Sequence, residues 1–110
     1  MRRIERTNAF LRDVRREKPG HHRRDLEAVL TVVVSLLAED TPLPERNRDH
    51  ALGGDWRDHR QCHLKPDLLL IYRKPDTEVL QLVRLGFAQR ALWFTAITTI
   101  PRAFPPPSLK

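Results

Sequence analysis

Three histidines stand in the twenty-five residues from Asp49 to Arg73, DHALGGDWRDHRQCHLKPDLLLIYR, among several aspartates and arginines. Imidazole is the side chain that titrates nearest neutrality, so His50, His59 and His63 beside Asp67 supply proton donors, proton acceptors and an orienting carboxylate in one local unit. Arginines interleaved with them suit a substrate that carries phosphate. The same stretch also holds the ligand types of a metal site, in His59, Cys62, His63 and Asp67. Zinc needs its ligands to converge tetrahedrally, and strand alternation turns Cys62 away from both histidines. No metal and no cofactor is therefore expected, and Cys62 is not expected to be catalytic.

The elements that must position these residues follow from periodicity. Arg3 to Arg6 suits a short first strand, after which Thr7 or Asn8 caps a helix bearing Phe10, Leu11 and Val14 at helical spacing. Pro19-Gly20 ends it. A second helix is expected from about His22 to Ala38, with Leu26, Val29, Leu30, Val33, Leu36 and Leu37 on one apolar stripe. Asp40 to Gly54, rich in Pro and Gly, reads as a loop that carries His50. Trp56 to Leu64 then alternates, with Arg57, His59, Gln61 and His63 on a wholly polar face. Asp67 to Arg73 and Glu78 to Leu85 are two further strands, joined by Lys74-Pro75-Asp76-Thr77. Three consecutive strands make an antiparallel meander. With two helices covering one face and the other left open for a ligand, the order is β-α-α-β-β-β and the class α+β. Trp56 and Tyr72 are expected in the core or at its edge, and His21 and His22 in solvent.

At 110 residues the chain accommodates a single domain. Its net charge of +6 is concentrated at one end: residues 1 to 24 hold nine Arg and Lys against Glu5, Asp13 and Glu17. With a sequence pI near 10.4, such a basic lobe is the footprint of a nucleic-acid or acidic protein partner. The lone cysteine excludes an intrachain disulfide and fits a reducing cytoplasm. No secretory signal is expected, because no apolar run follows the Arg-rich start. The uncharged apolar run from Ala91 to Pro101 is too short to span a bilayer.

The segments LPERNRDHALGGDW, HRQCHLKPDLLLIYRKPD and LQLVRLG resemble the YafQ branch of the RelE/ParE toxin superfamily, and the likeness runs from near residue 1 to Gly86. That resemblance implies a small α+β domain and a toxin of a type II toxin–antitoxin system. Such toxins are bacterial, cytoplasmic endoribonucleases that enter the ribosomal A site and cut the bound mRNA, and a cognate antitoxin holds them by covering the basic surface. It further implies active-site roles for His50, His63 and Asp67, and a phosphate-steadying role for Arg84. Contacts to RNA are expected from Arg57 and His59, and from Arg15, Arg16, Arg23 and Arg24 on the basic helices.

Two departures from the family pattern bear on activity. The family has an aspartate where this chain has Gln61, which removes a carboxylate able to orient a histidine. The VRLG that closes the last strand is followed in the family by an ending of the type Ser-His-Ser-Glu-Leu-Phe-Gly, whose His and Phe belong to the active site. Here FAQRALWF follows, with Ala88 in the histidine's place. Phe87 to Phe94 can be encoded TTC GCA CAG CGA GCT CTT TGG TTT, and the same bases read one nucleotide later give Ser-His-Ser-Glu-Leu-Phe-Gly. Residues 1–86 are therefore read as the toxin domain, and 87–110 as a frame-shifted, apolar and proline-rich tail without selected structure.

Overall fold

Apolar residues recur with the period of a helix before Ala38 and with the period of a strand after Arg60, and regular structure forms accordingly. The computed structural model describes residues 1–17 and 23–87, with nothing described of the side chains of Arg23 and Arg24. The elements are β1 (Arg3–Arg6), α1 (Asn8–Glu17), α2 (Arg23–Ala38), β2 (His50–Ala51), β3 (Arg60–Lys65), β4 (Leu68–Arg73) and β5 (Val79–Phe87). Single 3₁₀ turns lie at Glu45–Asn47 and Gly54–Trp56. The expected class, α+β with two helices ahead of a meander, is the one observed.

Strand order is β1-β5-β4-β3-β2, antiparallel except that β1 runs parallel to β5. Thr7 caps α1 as expected, its Oγ1 accepting the Phe10 amide at 3.0 Å. Both helices lie on one face of the sheet, where Phe10, Leu26, Val33 and Leu37 meet Cys62, Leu70, Tyr72, Leu80, Leu82 and Leu85 in the main core.

β1 pairs with β5 only as far as Leu82, and α1 closes the edge beyond it with side chains. The Thr7 hydroxyl donates to the Val83 carbonyl at 2.8 Å, and the Leu85 amide donates to Asp13 Oδ2 at 2.9 Å. The buried Asp13 carboxylate also takes a fork from Arg84, Nε at 2.8 Å and Nη2 at 3.1 Å, and a contact from Arg16 Nη1 at 3.1 Å.

Four local expectations are revised. β3 begins at Arg60 rather than Trp56, because Asp58 sits at φ 74, which no extended strand contains. The expected loop contains a two-residue strand, β2. β5 runs on to Phe87, which pairs with Leu68 and joins the core instead of opening the tail. The second sheet face is not open at its centre, where Leu69, Ile71 and Val83 are all fully buried. The run LLLI is apolar at every position, so both faces of β4 are apolar and both leave water. Pro19-Gly20, His21, His22, Ala88 and the tail beyond it lie outside the described residues. Among the described residues, no helix is long and apolar enough to cross a membrane.

Candidate active site

The register of the sheet gathers three of the expected residues at one corner. His50 on β2 lies directly opposite Gln61 on β3, and paired residues on neighbouring strands project to the same face. His63, two residues beyond Gln61, shares that face. Asp67 follows Pro66 in the tight turn between β3 and β4, and the Pro66 carbonyl lies against the His63 ring. Both imidazoles leave the helix-covered side of the sheet to Cys62, Leu64 and Tyr72.

The hydrogen bonds of the two imidazoles define their protonation geometry. His50 Nδ1 lies 2.7 Å from the Arg48 carbonyl, and His63 Nδ1 lies 3.2 Å from that of Pro66. A carbonyl only accepts, so in each neutral ring Nδ1 carries the hydrogen and Nε2 keeps its lone pair. Each ring therefore presents a proton acceptor that becomes a donor once charged. Two such groups on one face form the minimal set for general base and general acid. Among the described residues Asp67 makes no hydrogen bond or ion pair.

The remaining expected residues fall elsewhere. His59 does not share an exposed face with His63: its ring is buried, edge-on to Trp56 with centroids 5.3 Å apart, and Nδ1 donates to the Arg57 carbonyl at 3.2 Å. Burial holds its pKa below the ordinary imidazole value, so it is a neutral core histidine rather than a surface contact. The physical reason is the 3₁₀ turn at Gly54–Trp56, which ends the alternation on which exposure was expected. Arg57 and Arg15 are exposed. Arg16 is half-engaged, bonded to Asp13, Glu17 and the Leu85 carbonyl.

Arg84 is the far end of a row that crosses four strands, His50–Gln61–Ile71–Arg84. Three strand spacings separate its backbone from His50, roughly 14 Å. Its guanidinium is turned toward α1 by the Asp13 fork. The side chains of Arg23 and Arg24 lie outside the described residues.

Burial pushes the Cys62 thiol up to about 12, with the Asp49 carboxylate adding to the shift, which leaves it inert as a nucleophile. Trp56 and Tyr72 are both buried, as expected. Among the described residues, no group of three or more His, Cys, Asp or Glu is placed to hold a metal ion.

Two residues beside His50 escaped the sequence reading. Asn47 is buried and donates through Nδ2 to the His63 carbonyl at 2.6 Å. Asp49 Oδ1 accepts from Tyr72 Oη at 2.6 Å and from Arg60 Nε at 3.2 Å. The available signal was the alternation Asn47, Arg48, Asp49, His50, short capping side chains interleaved with long exposed ones.

Comparison with known proteins places these features in a family context. A family model described as a bacterial toxin of type II toxin–antitoxin system, YafQ, matches residues 2–90. The mRNA interferase toxin YafQ of Escherichia coli K12 is 32% identical over 83 residues, 76% of this chain and 87% of its own. Among solved structures, a metal-bound toxin from Helicobacter pylori is 41% identical with a TM-score of 0.70, over 84% of this chain and 100% of its own. The Escherichia coli DinJ–YafQ toxin–antitoxin complex matches at 29% identity and a TM-score of 0.69, over 83% of this chain and 97% of the matched chain.

Proposed function

The chain belongs to the YafQ family of bacterial type II toxin–antitoxin toxins, and from that membership we propose that it is built as an endoribonuclease that cuts mRNA in the ribosomal A site. The observation that carries the reading is the pair of imidazoles on one sheet face, each with Nδ1 tied to a carbonyl. One takes the proton of a ribose 2′-hydroxyl, whose oxygen attacks the adjoining phosphorus. The other gives a proton to the departing 5′ oxygen, and a 2′,3′-cyclic phosphate is left.

Asp67 supplies a carboxylate at His63, and Arg57 is an exposed cation between the two in sequence that would contact the RNA. Arg84, at the opposite end of its row, would meet the RNA backbone away from the scissile bond. Arg15, Arg16, Arg23 and Arg24 would contact ribosomal RNA. The partner expected to restrain the toxin is an antitoxin, as DinJ is for the Escherichia coli relative.

A second reading rests on Ala88, which stands where the family carries a catalytic histidine. Loss of one acid or base lowers a rate by roughly 10²- to 10⁴-fold. The chain would then be a disarmed toxin fold that still captures antitoxin.

Cleavage on programmed ribosomes separates the readings, using the chain, His50→Ala, His63→Ala and a frame-restored counterpart. Cutting by the chain that either substitution abolishes supports the enzyme. Cutting by the restored chain alone supports the binding protein, and cutting by neither refutes the first reading. Because one similar toxin is metal-bound, the assay is repeated with toxin pre-treated with a transition-metal chelator and with the magnesium of the ribosomes kept. Retained cleavage is expected, and its loss, restored by added metal, would overturn a metal-free mechanism.

A further inference from the structure

Building on the reading of His50 as a catalytic group, we propose that Asn47 and Asp49 are positioning residues that seat His50 beside His63, by pinning the chain on both sides of Arg48 to β3 and β4. The need for pins follows from the brevity of β2. Two residues pair with β3, extended only by the Leu52 amide donating to the His59 carbonyl at 3.0 Å. A strand this short at a sheet edge does not fix its own register.

The two side chains that turn inward supply what the ladder lacks. Asn47 is 7% exposed, and its Nδ2 bond at 2.6 Å ends on the carbonyl of His63 itself, so the loop carrying one imidazole is tied to the residue carrying the other. Asp49 projects to the helix-covered face while His50 projects to the opposite one. There its Oδ1 is held by Tyr72 Oη at 2.6 Å and Arg60 Nε at 3.2 Å. Burial, and then the bond to Asp49, raise the Tyr72 pKa, so its hydroxyl remains a donor throughout the working pH range.

Between the pins Arg48 adopts φ 47, a left-handed conformation that is unfavourable for an L-residue. Strain of this kind persists only where both flanks are held. Its result is that the Arg48 carbonyl meets His50 Nδ1 at 2.7 Å and fixes the ring. Release of either pin frees β2 to shift, and a misplacement of about 1 Å at a reacting group costs on the order of 10²-fold in rate.

The test uses the full chain and the variants Asn47→Ala, Asp49→Ala and Tyr72→Phe. Nitrogen NMR of His50 is expected to report a single Nδ1–H tautomer, and the His50 and Ala51 amides are expected to exchange slowly. Asn47→Ala and Asp49→Ala should shift the ring toward a mixture of tautomers and speed those amides, while the Leu70 and Leu82 amides keep their protection. Tyr72→Phe should do so more weakly, and it carries the test if Asp49→Ala does not fold.

Cleavage by the two alanine variants should fall roughly 10²-fold in kcat with KM unchanged. An unchanged His50 signature in both alanine variants overturns the proposal, and so does loss of Leu70 and Leu82 protection in parallel. His50→Ala that cleaves like the parent overturns the catalytic reading of His50 instead, while the NMR outcomes still decide the pins.

Discussion

Asp13→Ala is expected to destabilise the fold by about 3–5 kcal/mol, the usual cost of removing one partner from a buried ion pair. The carboxylate is only 2% exposed and accepts from Arg84 twice, from Arg16 and from the Leu85 amide. Truncation breaks the Arg84 fork and strands a buried backbone N–H, each of which alone costs about 1–3 kcal/mol. The two losses share one oxygen and do not add in full. Small domains are stable by roughly 5–15 kcal/mol, so the substitution consumes about a fifth or more of the total. With a urea slope of about 1–1.5 kcal/mol per molar, the midpoint should fall by roughly 2–5 M. A midpoint within about 0.5 M of the parent would refute the view that α1 closes the open edge of β5 through this carboxylate.

Further perturbations probe the loop and its titrating groups. Arg48→Gly should relieve the left-handed strain at φ 47 and, after the entropy of glycine is deducted, leave stability unchanged or higher by up to about 1 kcal/mol in thermal melts; a clear drop would show that the Arg48 side chain contributes to the fold. His59, whose folded pKa lies below its unfolded value because of burial, leaves stability unaffected above about pH 6.5. Below that pH the unfolded chain takes up the proton first, so stability should decline. His59→Phe should flatten the decline in urea titrations between pH 7 and 5, and an unaltered slope would assign the acid sensitivity elsewhere. Asp40, held down to about 2 by Lys74 and then Arg2, contributes stability above its ordinary value near 3.8 that is lost as pH falls toward 2. Asp40→Asn should remove that part of the acid transition.

Much of this protein was legible in order along the chain. The stripe from Leu26 to Leu37 dictates a helix, the apolar run Leu68–Ile71 a strand, and the Thr7-Asn8 pair a cap, because each depends on contacts within a few residues. Family membership was legible too, since RDHALGGDW and HLKPDLLLIY keep type and spacing together. Burial of His59 was not legible, for it depends on a 3₁₀ turn that rotates the ring under Trp56. Neither was the service of Asp13 to a strand edge seventy residues further on. The reach of Asp49 through the sheet to Tyr72 was equally hidden. Sequence alone determined which residues could transfer a proton and which could form a core, because those are properties of side chains and their local period. Tertiary structure decided which of them meet, because strand register and the partners of buried polar groups are settled between segments far apart in the chain, where one residue of slip would turn His50 to the opposite face.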